Sequence, residues 1–208
     1  SASVARITSD DDGGLLDIRN NSGASIVSAY SNGDGDGIVD VANNDGDNAV
    51  AIGAADSGSL FLISGNGGKP AIAMGNTADG GFLSVHNNDG MRVGRLYSEA
   101  YGGYLDIRNL AGSPAASVSA NGHGGSLIIQ NIVGKVTAAM FAVERGGALG
   151  VNNNDGKPVA KITATADAGA LEILNKDEKI VAVVGVDADG DGQMMTLDRK
   201  GQITSETP

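Results

Sequence analysis

In the stretch Gly147-Ala148-Leu149-Gly150-Val151-Asn152-Asn153-Asn154-Asp155-Gly156-Lys157-Pro158-Val159-Ala160-Lys161-Ile162, apolar residues fall at every second position on both sides of an Asn- and Gly-containing turn. Leu149 and Val151 precede the turn; Ala160 and Ile162 follow it. A period of two is the mark of a strand with one face buried and one wet. Between the strands, Asn153-Asn154-Asp155-Gly156 is a strong turn signal. Asn and Asp bond their own backbone there, and the glycine takes the positive φ that a type I turn with a bulge requires. The segment therefore predicts a hairpin of two short strands.

The same phrase recurs along the whole chain. Its opening glycines are Gly14, Gly37, Gly58, Gly81, Gly103, Gly125, Gly147, Gly169 and Gly192, at intervals of 23, 21, 23, 22, 22, 22, 22 and 23. Two places after each stand Leu16, Val39, Leu60, Leu83, Leu105, Leu127, Leu149, Leu171 and Met194. The next inward column holds Ile18, Val41, Leu62, Val85, Ile107, Ile129, Val151 and Ile173, and Thr196 breaks it. Asp17, Asp40, Asp106 and Glu172 alternate with them on the face expected to be wet. Second strands carry pairs such as Val27/Ala29, Val50/Ile52, Ala116/Val118 and Ala182/Val184. Pro70, Pro114 and Pro158 each stand where a second strand begins, the position at which a missing N–H does least harm. Glu178 replaces the turn glycine of the eighth phrase, which predicts a looser or differently built turn. The reading is one all-β, elongated domain over 1–208, an array of nine two-strand repeats of about 22 residues.

A lone hairpin is marginal in water, so each phrase must lean on neighbouring phrases, on other chains, or on both. Two constructions satisfy this. The chain coils as a β-solenoid with one phrase per rung, or hairpins from several identical chains wind into a thin intertwined fibre. Small residues at Gly94, Ala116, Ala138, Ala160 and Ala182 permit close approach at a shared axis and favour the fibre. Stacked Asn columns and the near-even period favour the solenoid.

The alternating strand, Gly turn and second alternating strand, as in Leu149, Val151, Gly156, Ala160 and Ile162, resemble the shaft repeats of trimeric viral and phage fibres of the triple β-spiral type. They are also similar to Gly- and Asn-rich repeats of bacterial surface proteins. The resemblance implies a trimeric, extracellular, structural protein.

Composition narrows the function further. Of 208 residues 33 are Gly, roughly twice the usual share of about 7 %. Cys is absent, which excludes a disulfide framework and any Cys-based metal site or nucleophile. With 25 acidic and 14 dispersed basic residues the formal charge is −11, so nucleic acid is not an expected partner. No run reaches the roughly 20 apolar residues of a membrane span. The sequence begins at Ser1 without Met and shows no basic-then-apolar leader, so any signal peptide is expected to have been removed already, in keeping with an expected extracellular or cell- or virion-surface location.

Candidate chemistry is sparse. His86 and His123 have no evident partner in an equivalent column. Asp17, Asp40, Asp106 and Glu172 share a column that could line a carboxylate groove, but without Trp there is little aromatic platform for sugar rings. In Asp187-Ala188-Asp189-Gly190-Asp191, continued to Asp198, acids fall at positions one, three, five and twelve of an EF-hand-type spacing, with Gly at six. Asp187, Asp189, Asp191 and Asp198 are therefore candidate calcium ligands, with Asp34 and Asp36, and the run Asp10 to Asp12, as shorter echoes. The competing account is an acidic loop kept for solubility. Tyr30, Tyr97 and Phe141 share one column and Phe82 and Tyr104 another, as local packing or a contact stripe. No threonine ladder supports ice binding. The expected function is a structural, non-enzymatic subunit or shaft of an extracellular filament, self-assembling as a homo-oligomer through repeated strand pairing. The alternative is a calcium-stabilised adhesin or receptor-binding tail fibre that contacts a surface glycan or receptor.

Overall fold

The computed structural model of the chain describes residues 4–55, 58–164, 166–187 and 189–207, and the side chains of Asp10, Ala55 and Asn66 are not among those described. Ser1, where the leader-free start was read, and Ala188, inside the acidic loop, lie outside the described residues. The chain divides into two units, Ser1–Ala100 with Leu110–Gly112, and Tyr101–Asn109 with Ser113–Pro208.

The first unit is built from β1 (Ala5–Asp10), β2 (Gly13–Arg19), β3 (Ser25–Ser31), β4 (Gly37–Ala42), β5 (Asn48–Ala55), β6 (Gly58–Ser64), β7 (Pro70–Thr77), β8 (Gly80–His86) and β9 (Arg92–Glu99). A short 3-10 turn at Asn66–Gly68 joins β6 to β7. The second unit contains β10 (Gly102–Arg108), β11 (Pro114–Asn121), β12 (Gly124–Gln130), β13 (Val136–Val143), β14 (Gly146–Asn152), β15 (Pro158–Ala164), β16 (Gly169–Leu174), β17 (Ile180–Val186), β18 (Gly192–Leu197) and β19 (Ile203–Thr207). The fold is all-β. Within each unit every strand pairs antiparallel with the strands before and after it in the chain. Among the described residues no strand makes more than marginal contact with any other, so each sheet is one layer thick. Among the described residues of each unit, strands pair with their chain neighbours and not with their equivalents in the next phrase, the pairing that a solenoid rung requires.

Turns of one kind recur at one edge of the strands. In Asn153–Lys157 the Asn153 N–H donates to the Lys157 carbonyl at 2.9 Å and Gly156 N–H returns to the Asn153 carbonyl at 2.9 Å. Asn153 Oδ1 accepts from the N–H groups of Asp155 and Lys157 at 2.9 and 3.0 Å. Asn20, Asn43, Asn87, Asn131 and Asn175 repeat this arrangement. The eighth turn is a correction to the sequence reading. It is neither looser nor differently built: Glu178 adopts a φ of 59° and donates its N–H to the Asn175 carbonyl at 3.0 Å, as the glycines do. At the opposite edge most of the described connections are two-residue turns, such as Gly122-His123 between Asn121 and Gly124. Five-residue versions occur at 32–36 and 187–191.

Beyond each Asn turn the register slips by one residue, as where Ile107 faces Ala116 but Arg108 faces Pro114. Pro70, Pro114 and Pro158 sit beside such bulges, where the ladder is already interrupted.

Register also fixes the faces. In the second unit one row runs Leu105, Val118, Leu127, Met140, Leu149, Ile162, Leu171, Val184, Met194, and its neighbour runs Ile107, Ala116, Ile129, Ala138, Val151, Ala160, Ile173, Ala182, Thr196. Rows equally apolar cross the first unit from Leu16 and Ile18 to Leu96 and Gly94. One phrase departs from the expected frame. Phe61 and Ile63, not Leu60 and Leu62, stand opposite Ile52 and Val50 in these rows. Gly58 has a φ of 138°, matching Gly13, Gly80 and Gly102, the glycines just before the expected openers Gly14, Gly81 and Gly103. Ser59 thus opens the third phrase, which sets the intervals on either side at 22.

Burial reverses the expectation of a dry apolar face and a wet acidic one. Met140 is 53 % exposed and Ile162 47 %, whereas Asp17 is 4 % and Asp106 6 % exposed. With no second layer over them, the apolar rows have nothing within the unit to bury against. Of the described hydrophobic residues only Ala73 and Leu174 are buried.

Candidate functional site

The acidic loop is one of the five-residue turns. Asp187 takes the place that Asn holds elsewhere, its Oδ1 accepting from the N–H groups of Asp189 and Asp191 at 3.0 and 2.9 Å. Its own N–H donates to the Asp191 carbonyl at 2.9 Å. Asp198 does not join this group. It heads the following turn, its Oδ1 accepting from Lys200 and Gln202 at 2.7 and 2.9 Å. The six residues of β18 separate the two turns, a span of about 20 Å. Asp198 therefore stands at the opposite end of β18 from Asp187, Asp189 and Asp191. Asp34 and Asp36 lie in the equivalent turn of the first unit, where both donate N–H groups to Asn32 Oδ1 at 3.0 and 2.9 Å. Asp11 and Asp12 form the two-residue turn between β1 and β2. Among the described residues no three His, Cys, Asp or Glu side chains are placed together to hold a metal ion.

Three carboxylates of the alternate column, Asp17, Asp40 and Asp106, accept hydrogen bonds from nearby side chains. Asp17 accepts from Ser25 Oγ at 2.6 Å and from Arg19 Nε at 2.7 Å. The Ser25 hydrogen bond, then that of Arg19, holds the Asp17 carboxyl below the usual carboxylate range. Asp40 is two strands away with Ser28 between them, and it accepts from Tyr30 Oη at 3.0 Å. Burial, then that bond to Asp40, raises the Tyr30 hydroxyl above its ordinary value. In the second unit Asp106 accepts from Arg108 Nε at 2.6 Å, and Glu172 faces Lys161 and Val183.

His86 ends β8 beside a hollow of about 150 Å³ lined by Lys69, Pro70, Asn87 and Asn88, and its Nδ1 is enclosed with no hydrogen bond. His123 lies in the turn between β11 and β12.

Sequence columns separated Phe82 from Tyr97, but the bulged register places them directly opposite each other. Arg95, which sequence reading missed, stacks on both rings, its guanidinium carbon 5.3 Å from the Phe82 centroid and 4.3 Å from that of Tyr97. Counting the extra bulge residue back from the turn would have revealed the pair. An open cleft of about 500 Å³ beside it is lined by Asp79, Arg95, Tyr97, Ser98 and Glu99.

No known protein family matches the chain, and a search of curated proteins finds no relative. What the described residues build repeatedly is backbone pairing. Turns even bond to turns: Asn20 Nδ2 donates to the Asn44 carbonyl at 2.8 Å and Asn131 Nδ2 to the Asn154 carbonyl at 2.8 Å.

Proposed function

We propose that this chain is a structural subunit or shaft of an extracellular filament, that it self-associates with copies of itself, and that it catalyses no reaction. The observation that carries the reading is the pairing pattern: each strand is committed to its chain neighbours by a full ladder, while polar side chains are spent on turns and on one another. Such a molecule supplies stiffness and resistance to proteolysis, because hydrogen-bonded strands and short turns offer proteases few open segments. Its oligomer, a trimer or an open polymer, is the form in which the apolar rows are covered. Light scattering on purified protein tests this directly. Masses of three chains or more, with filaments or rods under negative stain, are expected, and a stable single chain at micromolar concentration refutes the reading.

A second reading is adhesion, favoured by the cleft in which Arg95 and Tyr97 stand beside Asp79 and Glu99. An aromatic ring flanked by carboxylates is a sugar-binding arrangement. Binding on a glycan array that is lost in Tyr97→Ala supports it; an empty array removes it.

A further inference from the structure

We infer that the apolar rows form the mating surface between copies of this chain, which pack face to face rather than by joining strand edges. The inference rests on the reading of the chain as a self-associating subunit and states which surface does the associating. Four observations point to a second copy as the occupant.

The first is area. The chain exposes 13050 Å², whereas even two separate compact globules of half its mass would expose about 10,700 Å² together. The excess of roughly 2,000 Å² is more than twice the ~800 Å² that one partner gives up in a standard stable interface. The second is position. Ile129, Met140, Ile162 and Val184 are 42, 53, 47 and 44 % exposed and lie in two adjacent rows on one face of the second unit. The third is charge. The protein carries −11, yet neither row of either unit contains a charged residue, so two acidic copies meet here without opposing carboxylates. A strongly cationic partner or an anionic membrane would find no complementary charge on this face.

The fourth is period. Ile107, Ala116, Ile129, Ala138, Val151 and Ala160 alternate large and small from strand to strand. Ridges therefore recur every second strand, about 9.6 Å apart at the usual strand spacing. A surface with hollows at that same interval is another copy of this face. Interlocking of this kind fills the ~10 Å layer between stacked sheets.

The chain has no cysteine, so a single engineered thiol reports its own surroundings. Met140→Cys places one in the apolar rows, and Thr163→Cys places a control on the opposite face, where Thr163 faces Ala148 and Ala170. In the assembled protein Met140→Cys is expected to react with a maleimide at least tenfold more slowly than Thr163→Cys, and the two rates should converge in urea. Mild oxidation should join Met140→Cys copies in pairs through one disulfide, giving a covalent dimer of twice 20.7 kDa and nothing larger. Ile162→Cys repeats the measurement should Met140→Cys impair folding, and must give the same protection. Equal rates for both faces in an assembled particle overturn the mating surface while leaving self-association standing. A single-chain mass overturns both, and a particle containing any other component overturns the choice of occupant.

Discussion

Glu178 donates its N–H to the carbonyl of Asn175 at 3.0 Å while holding a φ of 59°, the conformation that glycine supplies in the sister turns. A side chain with a Cβ bears a cost of roughly 1–2 kcal/mol in this region. The nearby Lys157 Nζ, 3.9 Å from Glu178 Oε1 with both side chains about half exposed, returns little of it. Glu178→Gly should therefore raise stability by about 1 kcal/mol, with Glu178→Asn intermediate. Chemical denaturation measures this, and a loss of stability in the glycine variant would contradict the account.

Asp187 separates two roles that share one residue. As a turn former it needs only the Oδ1 that accepts from Asp189 and Asp191. Asp187→Asn keeps that acceptor and should leave the melting temperature within about 1 °C of the parent, with or without a chelator. Asp187→Ala removes it and should cost about 1 kcal/mol. If calcium acts here instead, chelation lowers the parent's melting temperature and the Asn variant loses that sensitivity.

Acid should find Asp17. Its carboxyl is held below its ordinary value by Ser25 and Arg19, so the folded state releases the proton more readily than the unfolded chain. The stabilisation is present above the unfolded value near pH 4 and is lost as pH falls through the lower folded value. Denaturation midpoints followed from pH 6 to pH 2 should show this decline, flattened in Asp17→Asn. An identical profile in that variant would assign the acid sensitivity elsewhere.

Gly75 and Gly150 look alike in sequence but differ in space. A methyl group on Gly75 would run into the Ser59 backbone carbonyl, whereas Gly150 has nothing within 4 Å of that position. Gly75→Ala should destabilise by about 2 kcal/mol through displaced backbone. Gly150→Ala should be neutral or gain up to about 1 kcal/mol from a less flexible unfolded chain. Reversal of that order would show that strand β6 does not hold β7 as described.

The strands and Asn turns were legible because period two and Asn-x-x-Gly are local signals. Asn153 to Gly156 needed no tertiary information. The third phrase misled because Leu60, Phe61, Leu62 and Ile63 are four apolar residues in succession, so alternation is silent there and only the positive φ of Gly58 fixes the frame. Asp187 to Asp198 match a calcium-loop spacing, but spacing along the sequence does not reveal that an intervening strand carries the last acid to the other edge. The exposure of Met140 and the burial of Asp17 were hidden for another reason. Pattern tells which residues share a face, but which face is covered depends on what packs over it.

Since every described strand within a unit answers only to those beside it in the chain, its contacts are short-range in sequence. Cutting out or duplicating a 22-residue segment joins equivalent points and breaks only the pairing at the seam. Length then becomes a heritable quantity that recombination between like segments adjusts in whole steps. A lineage could lengthen or shorten this molecule without redesigning a single hairpin.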